Sequence, residues 1–237
     1  CLPLAITGFI DDFKELKNNV RFLFQLIISI FLVNFSNLIN LDNNFIIFSI
    51  LVIIATSFIN FSNFMDGIDG LLAGCMLIAF GTAAITQEDF FSLWLLIGSL
   101  LGFFIWNWNP SSVFMGDTGS TYLGALYLGF VLNSDNYLEA IGLFLVTGPL
   151  FLDSISCLFR RFINRENIFK AHNKHTYQRL YQAGFNHSKV SSLYIIGTFF
   201  ISLFFLIGGI KAALLIVLIE FILGFFIDKK LAVPFNG

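Results

Sequence analysis

Charged residues are scarce in this sequence, since Asp, Glu, Lys and Arg make up only 12% of its 237 residues. A soluble domain carries roughly twice that fraction, so the composition points away from a water-soluble fold. The net charge of −2 excludes the overall basic surface typical of nucleic-acid-binding proteins. The three cysteines, Cys1, Cys75 and Cys157, are scattered through apolar segments, so they predict packing residues rather than a disulfide framework.

Long apolar runs fill most of the chain, and the mean hydropathy is +0.84. This pattern predicts an all-α, polytopic membrane helical bundle with about eight full spans in one domain, residues 1–237. The predicted spans are 21–38, 44–62, 70–87, 91–108, 119–133, 139–160, 190–209 and 211–228. Only ten residues, CLPLAITGFI, precede Asp11 and Asp12. That is half a membrane span, so we expect the chain to begin inside a truncated helix.

Counting crossings places every unusual polar cluster on one face of the membrane. These clusters are Asp11–Asp12, Asp66–Asp69, Asp117 and His172–His175, whereas connections near Asp42, Glu88–Asp89 and Asp135 fall on the opposite face. Twelve of the thirteen basic residues share the face of the clusters: Lys14, Lys17, Arg21, Arg160, Arg161, Arg165, Lys170, Lys174, Arg179, Lys189, Lys229 and Lys230. Only Lys211 lies opposite. The positive-inside rule therefore predicts that the clustered face is cytoplasmic.

The stretch NFSNFMDGIDGLLAG sets polar side chains where a membrane helix should be apolar. Asn60, Asn63, Asp66 and Asp69 recur every three residues, and the glycines between them interrupt the helix. Carboxylates within a membrane are costly and usually mark a site with a cation or other partner. An ordinary polar loop between two helices is the alternative.

Three further motifs carry carboxylates or histidines. The adjacent Asp11 and Asp12 repel each other and are solvated or neutralised by a cation, by Lys14 or by Lys17. Asp117, just before a span in the run FMGDTGS, either caps the next helix or holds a cation.

His172 and His175 lie in the long basic loop, where a helix would place them on one face. A zinc pair lacks a cysteine partner and a third ligand nearby in the sequence. The surrounding Lys and Arg residues instead favour a role of these histidines in binding phosphate oxygens. Together, oxygen ligands for a hard cation, basic groups and a membrane setting indicate phosphoryl transfer between a soluble nucleotide compound and a lipid phosphate.

At these residues the chain resembles the polyprenyl-phosphate N-acetylhexosamine-1-phosphate transferases, which initiate peptidoglycan, teichoic-acid and O-antigen lipid intermediates. The resemblance rests on GFIDD (8–12), NFSNFMDGIDG (60–70), the run 107–120 that ends in FMGDTGS, and HNKHTYQRL (172–180), in that order. The histidine loop departs from the HxH-type pattern of the peptidoglycan branch and is more similar to the O-antigen branch.

The resemblance implies a Mg²⁺-dependent membrane enzyme, with about two further N-terminal helices that are missing here. It would move N-acetylhexosamine-1-phosphate from a UDP-sugar to undecaprenyl phosphate and release UMP, at the cytoplasmic face of the plasma (inner) membrane. GlcNAc, FucNAc and QuiNAc are all open as the donor sugar, and a homodimer is compatible with the resemblance.

The resemblance also assigns roles residue by residue. Asn63 and Asp117 match metal-binding positions. Asp11 and Asp12 match the carboxylate pair that engages the lipid phosphate. The remaining matches are the site residues Asp66 and Asp69, the nucleoside-pocket positions Asn107 and Phe114, and the phosphate- or sugar-binding His172, His175 and Arg179.

Other classes of protein stay open at this point. A transporter or channel would also carry intramembrane carboxylates, although at mid-span and on both faces. An alcohol phosphotransferase needs an arginine soon after a DG pair, and IDGLLAGC after Asp66 and Gly67 supplies none. A catalytically inactive remnant of the transferase family is the third alternative.

Overall fold

A computed structural model describes residues 1–14, 16–36, 38, 45–87, 90–168, 170 and 172–235. The chain is helical, with no strand among these residues, which confirms the predicted all-α class. The helices are α1 (Leu2–Lys14), α2 (Asn18–Asn34), α3 (Phe45–Phe64), α4 (Leu71–Thr86), α5 (Phe90–Asn107), α6 (Gly116–Leu132), α7 (Tyr137–Val146), α8 (Gly148–Ile163), α9 (Thr176–Gln182) and α10 (His187–Leu231). The predicted connections at Asp42, Glu88 and Asp89 lie outside the described residues.

Large apolar side chains cover the outside of this bundle. Phe45, Phe91 and Ile207, for example, are each more than three-quarters exposed. Such an apolar exterior suits a lipid solvent and fits the membrane bundle predicted from composition. Among the described helices, α3 and α10 are long and apolar enough to cross a membrane, and the bent pair α7–α8 makes a third. Each of the eight predicted spans overlaps at least one described helix, but the number of full membrane crossings stays a prediction.

Two breaks in the helical path have local causes. One divides the predicted span 139–160, and the other lies at the junction of the predicted spans 190–209 and 211–228. The span 139–160 divides at Thr147 into α7 and α8, which are bent by 72°. Pro149 follows in the first turn of α8, where its missing N–H costs no helical hydrogen bond. Within α10, Gly209 has φ 65° and ψ −162°, a conformation that only glycine adopts readily. At this residue the second half of α10 folds back along the first as an antiparallel helix, which brings the side chain of Glu220 next to Gly197.

The helix α4 lies at the centre of the bundle. It buries residues on every side and packs against α5, α6, α7 and α10. An aromatic group next to it fills the core: the Phe80 and Tyr127 rings meet edge to face at 5.2 Å, and Phe58 lies 4.5 Å from Phe151. The polar loop 65–70 therefore enters the end of the most buried helix.

The helix α1 packs closely on the start of α6. A Cβ on Gly8 would lie 2.6 Å from the backbone of Thr118, so only glycine allows this approach. The crossing brings the carboxylates at the end of α1 beside those at the start of α6.

Candidate active site

The predicted polar clusters meet at one end of the bundle. Arg21 joins α1 to α6, and Asn63 at the end of α3 donates a 2.8 Å hydrogen bond to Asp117. The Tyr177 hydroxyl of α9 donates to the backbone oxygen of Phe64 at 2.9 Å, which ties the histidine loop to the same place. The structure thus confirms that the clusters share one face, and which side of the membrane that face occupies stays a prediction.

Four carboxylates form what we call the carboxylate cluster: Asp11, Asp12, Asp66 and Asp117. Its counter-charge is Arg21, whose Nη1 lies 2.6 Å from Asp11 Oδ2 and 2.5 Å from Asp117 Oδ2. Sequence analysis had offered Lys14 or Lys17 for this role and overlooked Arg21. The reason is geometric, because Arg21 lies one turn into α2 and reaches both carboxylates only through the crossing of α1, α2 and α6.

Asp12 performs the capping that was one predicted use of Asp117. Its carboxylate accepts hydrogen bonds from the backbone N–H of Asp117 at 3.0 Å and of Thr118 at 3.3 Å. It also accepts the Thr118 hydroxyl at 2.7 Å. The Asp117 carboxylate instead accepts from Arg21 and Asn63, so it faces the cluster rather than its own helix end. Of the two predicted uses of Asp117, this arrangement favours the cation.

Asp66 lies in the loop between α3 and α4, with no hydrogen bond to its carboxylate among the described residues. Its pKa is raised well above the ordinary value of 3.8, first by burial and then by the charges of Asp117 and Asp12. Asp11, Asp12 and Asp117 therefore surround one guanidinium, Asp66 adds a fourth carboxylate beside them, and the cluster has a deficit of positive charge. A bound cation would relieve this repulsion.

Asp69 belongs to a separate hydrogen-bonded group. It accepts from Asn109 Nδ2 at 2.9 Å and from the Ser111 hydroxyl at 2.8 Å, and it lies 3.1 Å from His187 Nδ1. Burial alone would raise the pKa of Asp69, but these contacts outweigh it and lower that pKa. Asp69 thus fixes the loop before α6. His187, at the start of α10, was overlooked in the sequence because it stands alone.

Asn107 and Phe114, the predicted nucleoside-pocket residues, differ in their surroundings. Asn107 is buried, accepts the N–H of Gly70 at 3.0 Å and donates to the Val113 oxygen at 2.9 Å. Its amide therefore holds two loops together. Phe114 is 75% exposed and extends from the second of these loops, where a ligand can reach it.

The histidine loop is organised by a buried carboxylate that sequence analysis missed. Asp153 in α8 accepts hydrogen bonds from the Thr176 N–H at 2.8 Å, the Tyr177 N–H at 3.1 Å and the Tyr194 hydroxyl at 2.6 Å. It also lies 3.6 Å from His175 Nδ1. A charged residue inside the apolar run PLFLDSIS was the available signal.

No helix spans both histidines, since α9 begins only at Thr176. His172 precedes it in extended chain, yet its ring stacks on that of His175 with centroids 5.1 Å apart. Arg179 is not brought to the carboxylate cluster. It is buried, donates to the oxygens of Val233 and Lys174, and pairs with Asp228, so it anchors the loop to the end of the chain.

Comparison with known proteins identifies the family to which this chain belongs. The model of glycosyl transferase family 4 matches residues 1–135, which include the whole carboxylate cluster. The chain belongs to glycosyl transferase family 4. This membership leaves the transporter and alcohol phosphotransferase interpretations without support.

Two relatives of this family 4 chain are similar over most of its length. It is 30% identical over 220 residues to a "probable undecaprenyl-phosphate N-acetylglucosaminyl 1-phosphate transferase" of Bacillus subtilis (strain 168), covering 83% of this chain and 61% of that protein. It is also 30% identical over 189 residues to a phospho-N-acetylmuramoyl-pentapeptide-transferase of Prochlorococcus marinus subsp. pastoris, covering 67% of this chain and 52% of the relative. The chain thus spans between half and two thirds of the length of these relatives.

Proposed function

We propose that this family 4 chain transfers N-acetylhexosamine-1-phosphate from a UDP-sugar to undecaprenyl phosphate and releases UMP. The observation that carries the proposal is the convergence of the carboxylate cluster around Arg21 at one end of an apolar bundle. Family membership and the names of both relatives support the substrate classes. The basic-residue distribution supports a cytoplasmic site in the plasma membrane, serving synthesis of an envelope polysaccharide such as O-antigen or a wall polymer.

The residues of the carboxylate cluster fit Mg²⁺, which prefers oxygen ligands and keeps several water molecules. Asp117 and the hydrogen-bond-free carboxylate of Asp66 would hold the ion. Asn63 would join them once its amide oxygen turns inward, because its Nδ2 now faces Asp117 and Ser120. When bound, Mg²⁺ supplies charge stabilisation for the phosphates, an effect typically worth several kcal/mol of barrier.

Around that position, the chain's own residues have distinct roles in the transfer. A phosphate oxygen of undecaprenyl phosphate attacks the sugar-bearing phosphorus of the donor, and the bond from that phosphorus to the UMP oxygen breaks. Arg21, partly exposed, offers a guanidinium that suits phosphate oxygens. Asp11 would accept a proton from the lipid phosphate, whereas Asp12 keeps α1 docked on α6.

The donor side would be bound by other elements at the same end of the bundle. Phe114 offers an exposed ring to the nucleoside, and Asn107 and Asp69 hold the loop that presents this ring. His172, which is half-buried, would contact the donor phosphates or the sugar, and the buried His175 would support its ring by stacking. GlcNAc, FucNAc and QuiNAc donors are the candidates to test.

The proposal is tested by UMP release from these three UDP-sugars in vesicles containing undecaprenyl phosphate and the full-length protein, across a Mg²⁺ titration. Asp117→Asn should lower turnover more than about 100-fold, because it keeps the shape and removes the charge. Thermal unfolding should stay near that of wild type. Asp135→Asn, an exposed acid on the connection between α6 and α7, is the matched control and should keep full activity. Turnover in excess EDTA, or an Asp117→Asn variant with wild-type rate and Mg²⁺ dependence, would contradict the proposal.

A further inference from the structure

Three metal-ligating side chains meet beneath the histidine loop. Cys157 of α8, His172 and His175 each offer a ligand atom, and these atoms all lie within 4.8 Å of one another. In the sequence the two histidines lacked a third ligand. The fold supplies it from a cysteine fifteen positions before His172, on the helix over which the loop folds.

We propose that Cys157, His172 and His175 form a binding site for a zinc-class divalent ion, separate from the magnesium position at the carboxylate cluster. One sulfur and two imidazole nitrogens are ligands that Zn²⁺ favours and Mg²⁺ does not. Three protein ligands leave a fourth position for water or a phosphate oxygen, as in open zinc sites.

The geometry needs only a small closure to hold such an ion. With zinc bonds of about 2.0 to 2.3 Å, tetrahedral ligand atoms lie about 3.5 Å apart. Because the three atoms lie within 4.8 Å of one another, each pair must approach by about 1.3 Å at most. Cys157 and His175 are each 3% exposed, which keeps competing water away from the ion.

The carboxylate of Asp153 lies next to His175, one of the three proposed ligands. His175 Nδ1 is buried, has no hydrogen bond among the described residues, and lies 3.6 Å from Asp153 Oδ1. Metal-binding imidazoles commonly direct their second nitrogen at such a carboxylate, which fixes the ring. Asp153 is itself held by two backbone N–H groups and Tyr194, so it is a rigid support.

The bases around the site outnumber the acids that pair with them. Arg161 and Lys174 share Glu166, and Arg160 and Arg179 share Asp228, so Asp153 and a Cys157 thiolate must supply the negative charge that a cation needs.

His172 must adjust to bind the ion. The Lys174 N–H donates to His172 Nδ1 at 3.2 Å, and the ring loses this long hydrogen bond if Nδ1 is the atom that binds the ion.

Cobalt substitution tests the site without reference to transferase activity. Full-length protein in detergent with excess Mg²⁺ is titrated with Co²⁺, whose spectrum reports thiolate ligation and tetrahedral geometry. We expect one Co²⁺ per chain with a sulfur-to-cobalt charge-transfer band that Zn²⁺ removes. The band should persist in a Cys1→Ser, Cys75→Ser background, in which Cys157 is the remaining cysteine of these 237 residues.

Cys157→Ser should abolish the charge-transfer band, and His172→Ala should weaken Co²⁺ binding by more than about tenfold, the loss that even outer partners of a metal site cause. Thermal unfolding of each metal-free variant establishes that it is folded. If Cys157→Ser does not fold, two other measurements test the site. His172→Ala should lose Co²⁺ binding, and Zn²⁺ should protect Cys157 in the wild-type protein against a thiol reagent. Absence of the band in wild type, or its persistence in Cys157→Ser, would overturn the site while leaving the proposed transferase function untouched.

Discussion

The carboxylate cluster and the histidine loop lie at the same end of the bundle but differ in how fully their carboxylates are neutralised and hydrogen-bonded. In the cluster, four carboxylates share one arginine, so negative charge is in excess. Beneath the loop, the carboxylate of Asp153 receives three hydrogen bonds and faces His175. The excess negative charge of the cluster suits the binding of a cation. The carboxylate of Asp153 has its hydrogen bonds satisfied within the protein, so it stabilises the fold. The acids of the cluster should therefore matter to activity, and Asp153 to stability.

The largest effect on stability should come from Asp153→Asn. The amide replaces one acceptor oxygen with a donor, which then faces either the Thr176 N–H or both the Tyr177 N–H and the Tyr194 hydroxyl in a buried position. Leaving buried partners unpaired costs about 3 kcal/mol of unfolding free energy. Thermal or denaturant unfolding in detergent measures this loss, and Asp11→Asn should lose much less stability.

The neighbouring Ser154 provides a matched control for that measurement. It is as buried as Asp153, but its hydroxyl has no hydrogen-bond partner within the described part of the chain. Ser154→Ala should therefore be nearly neutral. Equal losses from Ser154→Ala and Asp153→Asn would show that volume, and not the hydrogen bonds of Asp153, decides stability here.

A smaller effect should appear in the pH dependence of unfolding. The pKa of His172 falls from its ordinary 6.5 to about 4 in the folded protein, chiefly through burial. Between these values the unfolded chain binds more protons, so stability falls as pH drops from 6.5 towards 4 and the contribution is fully lost below about 4.

His172→Gln should flatten that part of the curve of melting temperature against pH, measured in EDTA. His187→Gln, a histidine beside Asp69, is the control and should retain the slope that His172 causes. A His172→Gln curve that matches wild type between pH 4 and 6.5 would show that His172 is not the buried neutral ring described above.

How much could be predicted from the sequence differs between local and tertiary features. Apolar runs fixed the helices, and counting crossings brought Asp11 to the same face as Asp117 before any contact was known. The bend at Thr147 was missed because the run 139–160 was treated as one span, although Gly148 and Pro149 mark a break within it. Arg21 and Cys157 were missed because a helix crossing, and not sequence spacing, decides which side chains they meet. The site residues themselves stay predictions until the variants are assayed.

The smallest effect should come from Phe114, three residues before Asp117 of the carboxylate cluster. Its ring is 75% exposed, and the backbone of its loop is held by the bond from Asn107 to Val113. Phe114→Ala should therefore change the unfolding free energy by less than about 0.5 kcal/mol. If the ring contacts the nucleoside, KM for the UDP-sugar should rise several-fold while kcat is unchanged, because uniform binding is lost. Val113→Ala, one residue earlier and 44% exposed, should leave both constants unchanged. Equal kinetics for the two variants would remove Phe114 from the donor site, and a fall in kcat instead would mean that its ring acts on the reacting phosphates.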